Sequence, residues 1–200
     1  MDTARDELKK ILDAINARDA EKFFARVDLK PLTDVAYDEA TDVLADNCDK
    51  FHALYPKDLF FKFGATVLRF YNEKFRGVHL GLIHRVIAAY FDGSFRDAKN
   101  FSSTPIKFLA AELVNLLAAV HADIGDEKIS GTTATVEVKM VGDASDYGRM
   151  IGALNFVVEF ARDGDGWRLK KIVNVEELVP PILDIAERFW PASWDLGIKL

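Results

Sequence analysis

The chain has 200 residues, half of them hydrophobic and 29% charged, with a net charge of −6. These values are ordinary for a globular protein and allow a core that needs no disulfide or structural metal. The acidic balance, without any Lys/Arg cluster, argues against nucleic-acid binding, which needs a basic face to neutralise phosphates. Cys48 is the only cysteine, which excludes an intrachain disulfide and leaves the cellular compartment open.

Helical periodicity dominates the first part of the chain. Leu8, Ile11, Leu12 and Ile15 have the spacing of an amphipathic helix over residues 6–17. Asp19 is a predicted N-cap of a second, short helix. Pro31 predicts a break over 28–31, because the residue before proline disfavours the helical region. Further helices are predicted over 33–47, 59–75, 82–91 and 105–122, with a turn bracketed by Gly77 and Gly81 and a cap at Ser103 and Thr104.

Two observations bear on membranes. The longest apolar stretch, residues 106–122, is too short and too polar to span a bilayer. The N-terminus, Met1 to Lys10, lacks the apolar core of a signal peptide. We therefore expect a soluble chain without a transmembrane segment.

The pattern changes to a period of two near the C-terminus. Residues 133–141, 154–160 and 167–173 alternate between apolar and polar positions, which predicts strands with one buried face. Asp-Gly pairs in the segment 163–166 favour a tight hairpin turn between the last two strands. The Pro180–Pro181 pair is expected to open a short helix that reaches Phe189, with the tail 190–200 packed across the surface.

These patterns predict one α+β domain covering residues 1–200. N-terminal helices, about 1–125, pack on a curved antiparallel sheet of three to four strands, about 126–176, and a short C-terminal helix with its tail occupies 177–200. Phenylalanine occurs fifteen times. Either these rings fill the core, or some line an apolar pocket, for which the candidates are Phe63, Phe70, Phe156, Phe160 and Trp167.

Motifs for catalysis or metal binding are missing. The four histidines, at 52, 79, 84 and 121, form no i, i+4 pair, and no Cys-x-x-Cys supports them. The acidic turn at 163–166 resembles a calcium loop, but Asn174 stands where the loop's glutamate belongs. We expect neither a metal nor a cofactor.

A weaker set of polar residues could serve proton transfer. Asp28, Asp34 and Tyr37 follow the second helix, and His84 sits in an otherwise apolar helix. A carboxylate at the mouth of a helix-over-sheet cavity can act as a general base if burial raises its pKa. The alternative is that these residues are solvated caps and turn residues. The connection 143–148 could flank the same opening, or be a mobile loop.

Two segments resemble known proteins. Residues 14–19 (Ala-Ile-Asn-Ala-Arg-Asp) and 23–28 (Phe-Phe-Ala-Arg-Val-Asp) are similar to the opening of uncharacterised bacterial envelope proteins with a short helical pair. Residues 165–174 (Asp-Gly-Trp-Arg-Leu-Lys-Lys-Ile-Val-Asn) resemble the terminal hairpin of the nuclear-transport-factor-two-like superfamily, which has a cystatin-like cone. The chain departs from that pattern by its extra, mostly helical residues from 34 to about 101.

The resemblance implies a bent sheet wrapped around helices with an apolar pocket between them. The superfamily contains isomerases, dehydratases, ligand binders and association modules, so the fold alone does not select a function. The envelope likeness favours the bacterial envelope over the cytoplasm, with a signal or anchor removed upstream of Met1.

Three functions follow as hypotheses. The first is a non-enzymatic module that binds an apolar ligand or a protein partner through a helix–sheet cleft. The second is a small pocket enzyme that transfers protons with an aspartate, with or without His84. The third is a homodimer formed through the outer sheet face, where Thr135, Glu137 and Lys139 lie.

Overall fold

The computed structural model describes residues 2–56, 59–97 and 105–189. Helices come first, an antiparallel four-stranded sheet follows, and a helix ends the described chain, which confirms the predicted α+β class. The predicted cap at Ser103 and Thr104 and the tail 190–200 lie outside these residues. The elements are α1 (Ala4–Ala17), α2 (Ala20–Phe24), α3 (Leu29–Asp46), α4 (Cys48–Leu54), α5 (Leu59–Lys62), α6 (Ala65–Asp92), a 3₁₀ turn (Ser94–Asp97), α7 (Pro105–Ala118), β1 (Val120–Ser130), β2 (Thr133–Gly142), α8 (Asp146–Ile151), β3 (Ala153–Asp163), β4 (Gly166–Ile172) and α9 (Val175–Phe189).

The sheet is a meander in which each strand pairs with the next one in the chain, in the order β1-β2-β3-β4. All three pairings are antiparallel. The register shifts once between β1 and β2, at Ile124 to Glu127, and once between β3 and β4, at Glu159 to Phe160. Such irregularities bend a strand and increase its twist.

One face of the sheet forms the main core with α1. Val136 and Phe160 are completely buried there, and the helix contributes Leu8 and Ile11. The alternation predicted for residues 133–141 is confirmed, because Ala134, Val136 and Val138 are buried while Glu137 and Lys139 are exposed. The sheet therefore has a dry face toward the helices and a face that carries charges.

A second core lies among the helices. Phe51 and Cys48 of α4 pack with Leu68 of α6 and Val179 of α9. The Cys48 thiol donates a hydrogen bond to the backbone carbonyl of Phe61 at 3.3 Å, and burial raises the pKa of this thiol. Ile172, at the end of β4, packs against both cores and joins them.

Side-chain caps explain where the first helices begin. Thr3 and Asp6 form a reciprocal capping box at the start of α1. Asp19 accepts from the backbone N–H of Lys22 and caps α2, as the sequence predicts. α3 starts at Leu29, earlier than expected, because Pro31 sits in the first helical turn, where its missing N–H costs no hydrogen bond.

The segment predicted as one helix over 59–75 is helical but interrupted, and the predicted turn between Gly77 and Gly81 is wrong. Gly64, with φ of +83°, separates α5 from α6, and α6 then continues through both later glycines for 28 residues. A glycine inside a helix costs only about 1 kcal/mol relative to alanine, which a long helix with tertiary contacts on two sides can absorb.

The sheet begins at Val120, before the boundary expected near residue 126. The residues to 122 were predicted to continue α7, but this helix ends at Ala118. The register shift after Ile124 interrupts the period of two in β1, and this edge strand exposes Asp126 and Lys128 to solvent. Both features explain why simple alternation of apolar and polar residues does not reveal β1.

Two further predictions need correction near the C-terminus. The segment expected to be a loop at 143–148 contains the start of α8, which Ser145 caps by accepting from the backbone N–H of Gly148. α9 begins at Val175, so the prolines at 180 and 181 lie inside it. Because proline has no backbone N–H, the carbonyls of Glu176 and Glu177 receive no helical hydrogen bond. Both residues lie in the exposed first turn, where water can supply the missing donor.

The close approach of β2 and α8 is testable. A Cβ at Gly142 would stand 1.9 Å from the backbone carbonyl oxygen of Gly148, whereas a Cβ at Gly81 would meet nothing within 4 Å. We expect Gly142→Ala to lower the free energy of unfolding by about 3 kcal/mol, and Gly81→Ala to raise it by about 0.5–1 kcal/mol. Urea unfolding followed by circular dichroism measures both, and equal midpoints for the two variants would contradict the prediction.

Candidate functional site

The five aromatic residues proposed to line a pocket are not brought together. Phe160 and Trp167 are buried in the core between α1 and the sheet, and Phe156 packs against the same core. Phe63 and Phe70 lie at the outer surface around α6, 59% and 63% exposed. Three of the five candidates therefore pack in one core and two lie at the surface, so the five do not line a single pocket.

Asp28 connects the helical half of the chain to β4. Its carboxylate accepts from Arg168 Nη1 at 2.8 Å and from Lys170 Nζ at 2.6 Å. Beside it, Val27 forms an isolated parallel bridge with Leu169. The hydrogen bond from Lys170 lowers the pKa of Asp28, and the charge of Arg168 adds to this effect against the opposing desolvation. A general base needs the opposite shift, so the geometry gives Asp28 a structural role.

The remaining polar candidates line the seam between α3 and α6. His84 Nε2 lies 2.8 Å from Thr33 Oγ1. One turn further along α3, Tyr37 Oη lies 2.7 Å from His79 Nδ1. Because the two helices are antiparallel, successive turns of α3 meet earlier turns of α6, and the contacts form a ladder. Tyr37 therefore pairs with His79, and His84 pairs with a threonine.

Ion pairs continue this ladder toward the N-terminal end of α6. Arg76 binds the Asp38 carboxylate in a bidentate manner, at 2.6 and 2.8 Å. Arg69 pairs with Asp42 at 2.6 Å and also with Asp46. A cavity of about 360 Å³ opens between the two helices at this level.

The electrostatics of the seam do not favour proton transfer. A hydrogen bond from Lys30 lowers the pKa of Asp34, and the charges of Lys30 and Arg76 lower it further. Burial raises the pKa of Tyr37, which keeps its phenol protonated at neutral pH. With the carboxylates held as anions by cations, the seam has the properties of a network that orders two helices.

The apolar site lies among three helices. A groove of about 480 Å³ is formed by the C-terminal half of α6, by α7 and by α9. Every lining side chain except Glu112 is aliphatic, and none of them belongs to either core. The lining consists of Leu82, Ile83, Val86, Ile87, Leu109, Glu112, Leu113, Leu116, Ile182 and Ile185.

The groove is open to solvent at its rim. Leu82, Ile83 and Ile182 are 40%, 37% and 46% exposed, a large fraction for aliphatic side chains. Apolar clefts of 300–1,000 Å³ are typical of small-molecule sites. We call this surface the aliphatic groove.

One polar pair borders the aliphatic groove. Tyr147, on α8, donates a hydrogen bond to Glu112 Oε2 at 2.7 Å and accepts one from Asn115 Nδ2 at 3.2 Å. The bond to Glu112 and burial both raise the pKa of Tyr147. The groove thus carries a single carboxylate, held in place by a neighbouring helix.

The sequence contains a signal for this groove that helical spacing alone does not reveal. The spacing of the apolar residues in the helix predicted over 105–122 indicates only that they are buried. Among the described residues, every apolar side chain that lines the groove is aliphatic. A helix face made of aliphatic side chains alone, on α6 and again on α7, is the pattern that would have indicated this surface.

Comparisons with known proteins leave the family open. No family model matches the chain, and searches among curated proteins and among solved structures find no significant match. The likeness to the nuclear-transport-factor-two-like superfamily and the envelope location therefore stay predictions. Within residues 2–56, 59–97 and 105–189, no cluster of three metal-ligating side chains is present, and no helix has the length and hydrophobicity to cross a bilayer.

The Asp28 ion pairs make a pH-dependent contribution to stability. Asp28 has a side chain 27% exposed, and we expect Asp28→Asn to lower the free energy of unfolding by about 1–3 kcal/mol at pH 7. Because the folded-state pKa lies below the ordinary 3.8, the contribution is complete above about pH 4 and disappears as the pH falls through the lower, folded value.

The measurement is chemical unfolding of both proteins between neutral pH and about pH 2.5. The matched control is Asp146→Asn, which removes an i, i+3 pair with Arg149 at a site 94% exposed and should change stability by less than about 0.5 kcal/mol. A stability difference between the wild type and Asp28→Asn that stays constant down to the lowest pH would contradict this account.

Proposed function

We propose that the protein is a non-enzymatic binding module that holds an alkyl chain in the aliphatic groove. The observation that carries this proposal is the lining itself, which is aliphatic at every position but one and remains partly exposed. Burial of such surface releases about 25 cal/mol per Å², so an apolar occupant would bind with useful affinity.

The lining also limits the chemistry of the ligand. Among the described lining residues Glu112 is the only polar one and no side chain donates a hydrogen bond, so we propose that the buried part of the ligand is apolar throughout. No aromatic ring is among the described lining residues, so these residues offer no stacking contact that would select flat ligands. A flexible saturated or isoprenoid chain fits both conditions.

Glu112 restricts the end of the ligand. An alkyl chain that ended in a carboxylate near this residue would bring two negative charges together, at a cost that grows in an apolar groove. We therefore propose a neutral or cationic head, such as an alcohol, an ester or an amine, in preference to a fatty-acid anion. The hydrogen bond from Tyr147 keeps the Glu112 carboxylate oriented along the rim.

A fluorescent probe tests this function. The neutral dye N-phenyl-1-naphthylamine should gain fluorescence on binding to the wild-type protein. Ile182→Glu places a charge in the groove at a position 46% exposed, so the fold should survive while affinity falls at least about tenfold. The matched control is Ile129→Glu, at a position 57% exposed on β1, which should bind the dye like the wild type.

A second probe tests the choice of head group. The anionic probe cis-parinaric acid should bind more weakly than the neutral dye. The variant Glu112→Gln should reduce the difference in affinity between the two probes. Equal dye binding by the wild type and Ile182→Glu would refute the groove as the site. Tighter binding of the anionic probe would refute the role given to Glu112.

A further inference from the structure

The outer face of α6 carries an apolar strip that contacts neither core. Val67, Phe70 and Val78 are 48%, 63% and 66% exposed, and they share a helix face with Lys74 and Arg85 at spacings of three, four and seven residues. We call these five positions the α6 ridge. Phe63, which precedes the helix, is also 59% exposed.

The apolar area that the ridge exposes is comparable with that of a functional surface patch. The four apolar side chains together expose on the order of 400 Å² if a large side chain offers about 150–250 Å². The largest apolar patch on a typical monomer is about 300–600 Å² and is often functional. The ridge runs from residue 67 to residue 85 of α6, about 27 Å along the helix axis, so its partner must present an extended and fairly flat surface.

The charges on the ridge are of one sign. Lys74 and Arg85 are both exposed cations, and Lys74 Nζ lies 5.7 Å from the centre of the Phe70 ring. The carboxylates of the α3 side lie on another face of α6, where Arg69 pairs with Asp42 and Asp46 and Arg76 pairs with Asp38. The five ridge positions themselves thus carry two cations and no carboxylate, on a protein with a net charge of −6.

Charge complementarity selects the partner. A second copy of the chain docked by the same face would present no carboxylate to either cation, so such a contact would gain no charge pairing. An anionic lipid surface attracts both cations, and their long side chains can reach the headgroups while phenylalanine and valine enter the interface. We propose that the α6 ridge docks the protein on the surface of membranes that contain anionic lipids.

This inference does not require the aliphatic groove to bind an alkyl chain, because the ridge lies on a different face of the helix. The two surfaces approach each other only at Leu82, on the rim of the groove. The dye experiment contains no vesicles and the experiment below contains no dye, so one proposal can fail while the other holds.

Co-sedimentation with vesicles tests the proposal. We expect the wild-type protein to bind vesicles that contain about one third phosphatidylglycerol at least tenfold more strongly than pure phosphatidylcholine vesicles at low ionic strength, about 0.01 M. Raising the ionic strength to about 0.15 M should weaken binding. Lys74→Gln with Arg85→Gln should lower the partition coefficient by roughly thirtyfold, because each cation near an anionic surface contributes about one factor of five.

Two further variants distinguish the effect of the ridge cations from that of the protein's net charge and from that of the inserted Phe70 ring. Lys50→Gln with Lys128→Gln changes the net charge equally at exposed sites away from the ridge and should bind like the wild type. Phe70→Ser should keep the salt dependence but lose about tenfold in affinity, since position 70 is 63% exposed and the fold does not depend on it.

Several results would overturn the proposal. The wild type could remain in the supernatant with anionic vesicles, which would leave an acidic protein partner as the occupant of the ridge. The two double variants could bind equally, which would show that only net charge matters. Sedimentation velocity could reveal a dimer that Phe70→Ser dissociates, which would assign the ridge to a second copy.

Discussion

The link between the segment before α3 and the edge of β4 determines how the two halves of the molecule meet. Val27 pairs with Leu169 in a parallel bridge, and Leu169 donates its N–H to the carbonyl of Arg26 at 3.0 Å. The ion pairs of Asp28 with Arg168 and Lys170 hold the same junction. Because α1 and α2 precede this point and α3 follows it, the first two helices cover the sheet, and α3 leads away toward α6 and α9.

This arrangement produces two cores of different origin and leaves the groove outside both. The sheet buries one face under α1, while α4, α6 and α9 form a helical cluster that shares only Ile172 with the first core. α6 takes part in four features of the structure. It meets α3 through the polar ladder, contributes Leu68 to the helical core, lines the groove with its C-terminal half and exposes the ridge. A helix that carries apolar side chains on more than one face needs more than one partner, and the described chain supplies only some of them.

The sequence predicted the fold better than the site, and the reason is physical. Strong periodicity in β2, β3 and β4 and the cap at Asp19 are local properties, so they can be read from neighbouring residues. The failures have local causes too: the shifted register hides β1, and Gly64 rather than Gly77 interrupts the helices. The pairing of Tyr37 with His79 and the assembly of the groove from three distant segments depend on tertiary packing. Single-sequence periodicity carries no information about such contacts.

The burial of Cys48 gives the molecule a built-in reporter of local motion. The thiol is only 3% exposed, donates to the carbonyl of Phe61 and has its pKa raised by its surroundings, so it is neither accessible nor ionised in the closed state. A thiol reagent can reach it only when α4 separates from α5 and α6. The rate of its modification therefore measures how often the helical core opens locally. This opening does not require the sheet to unfold.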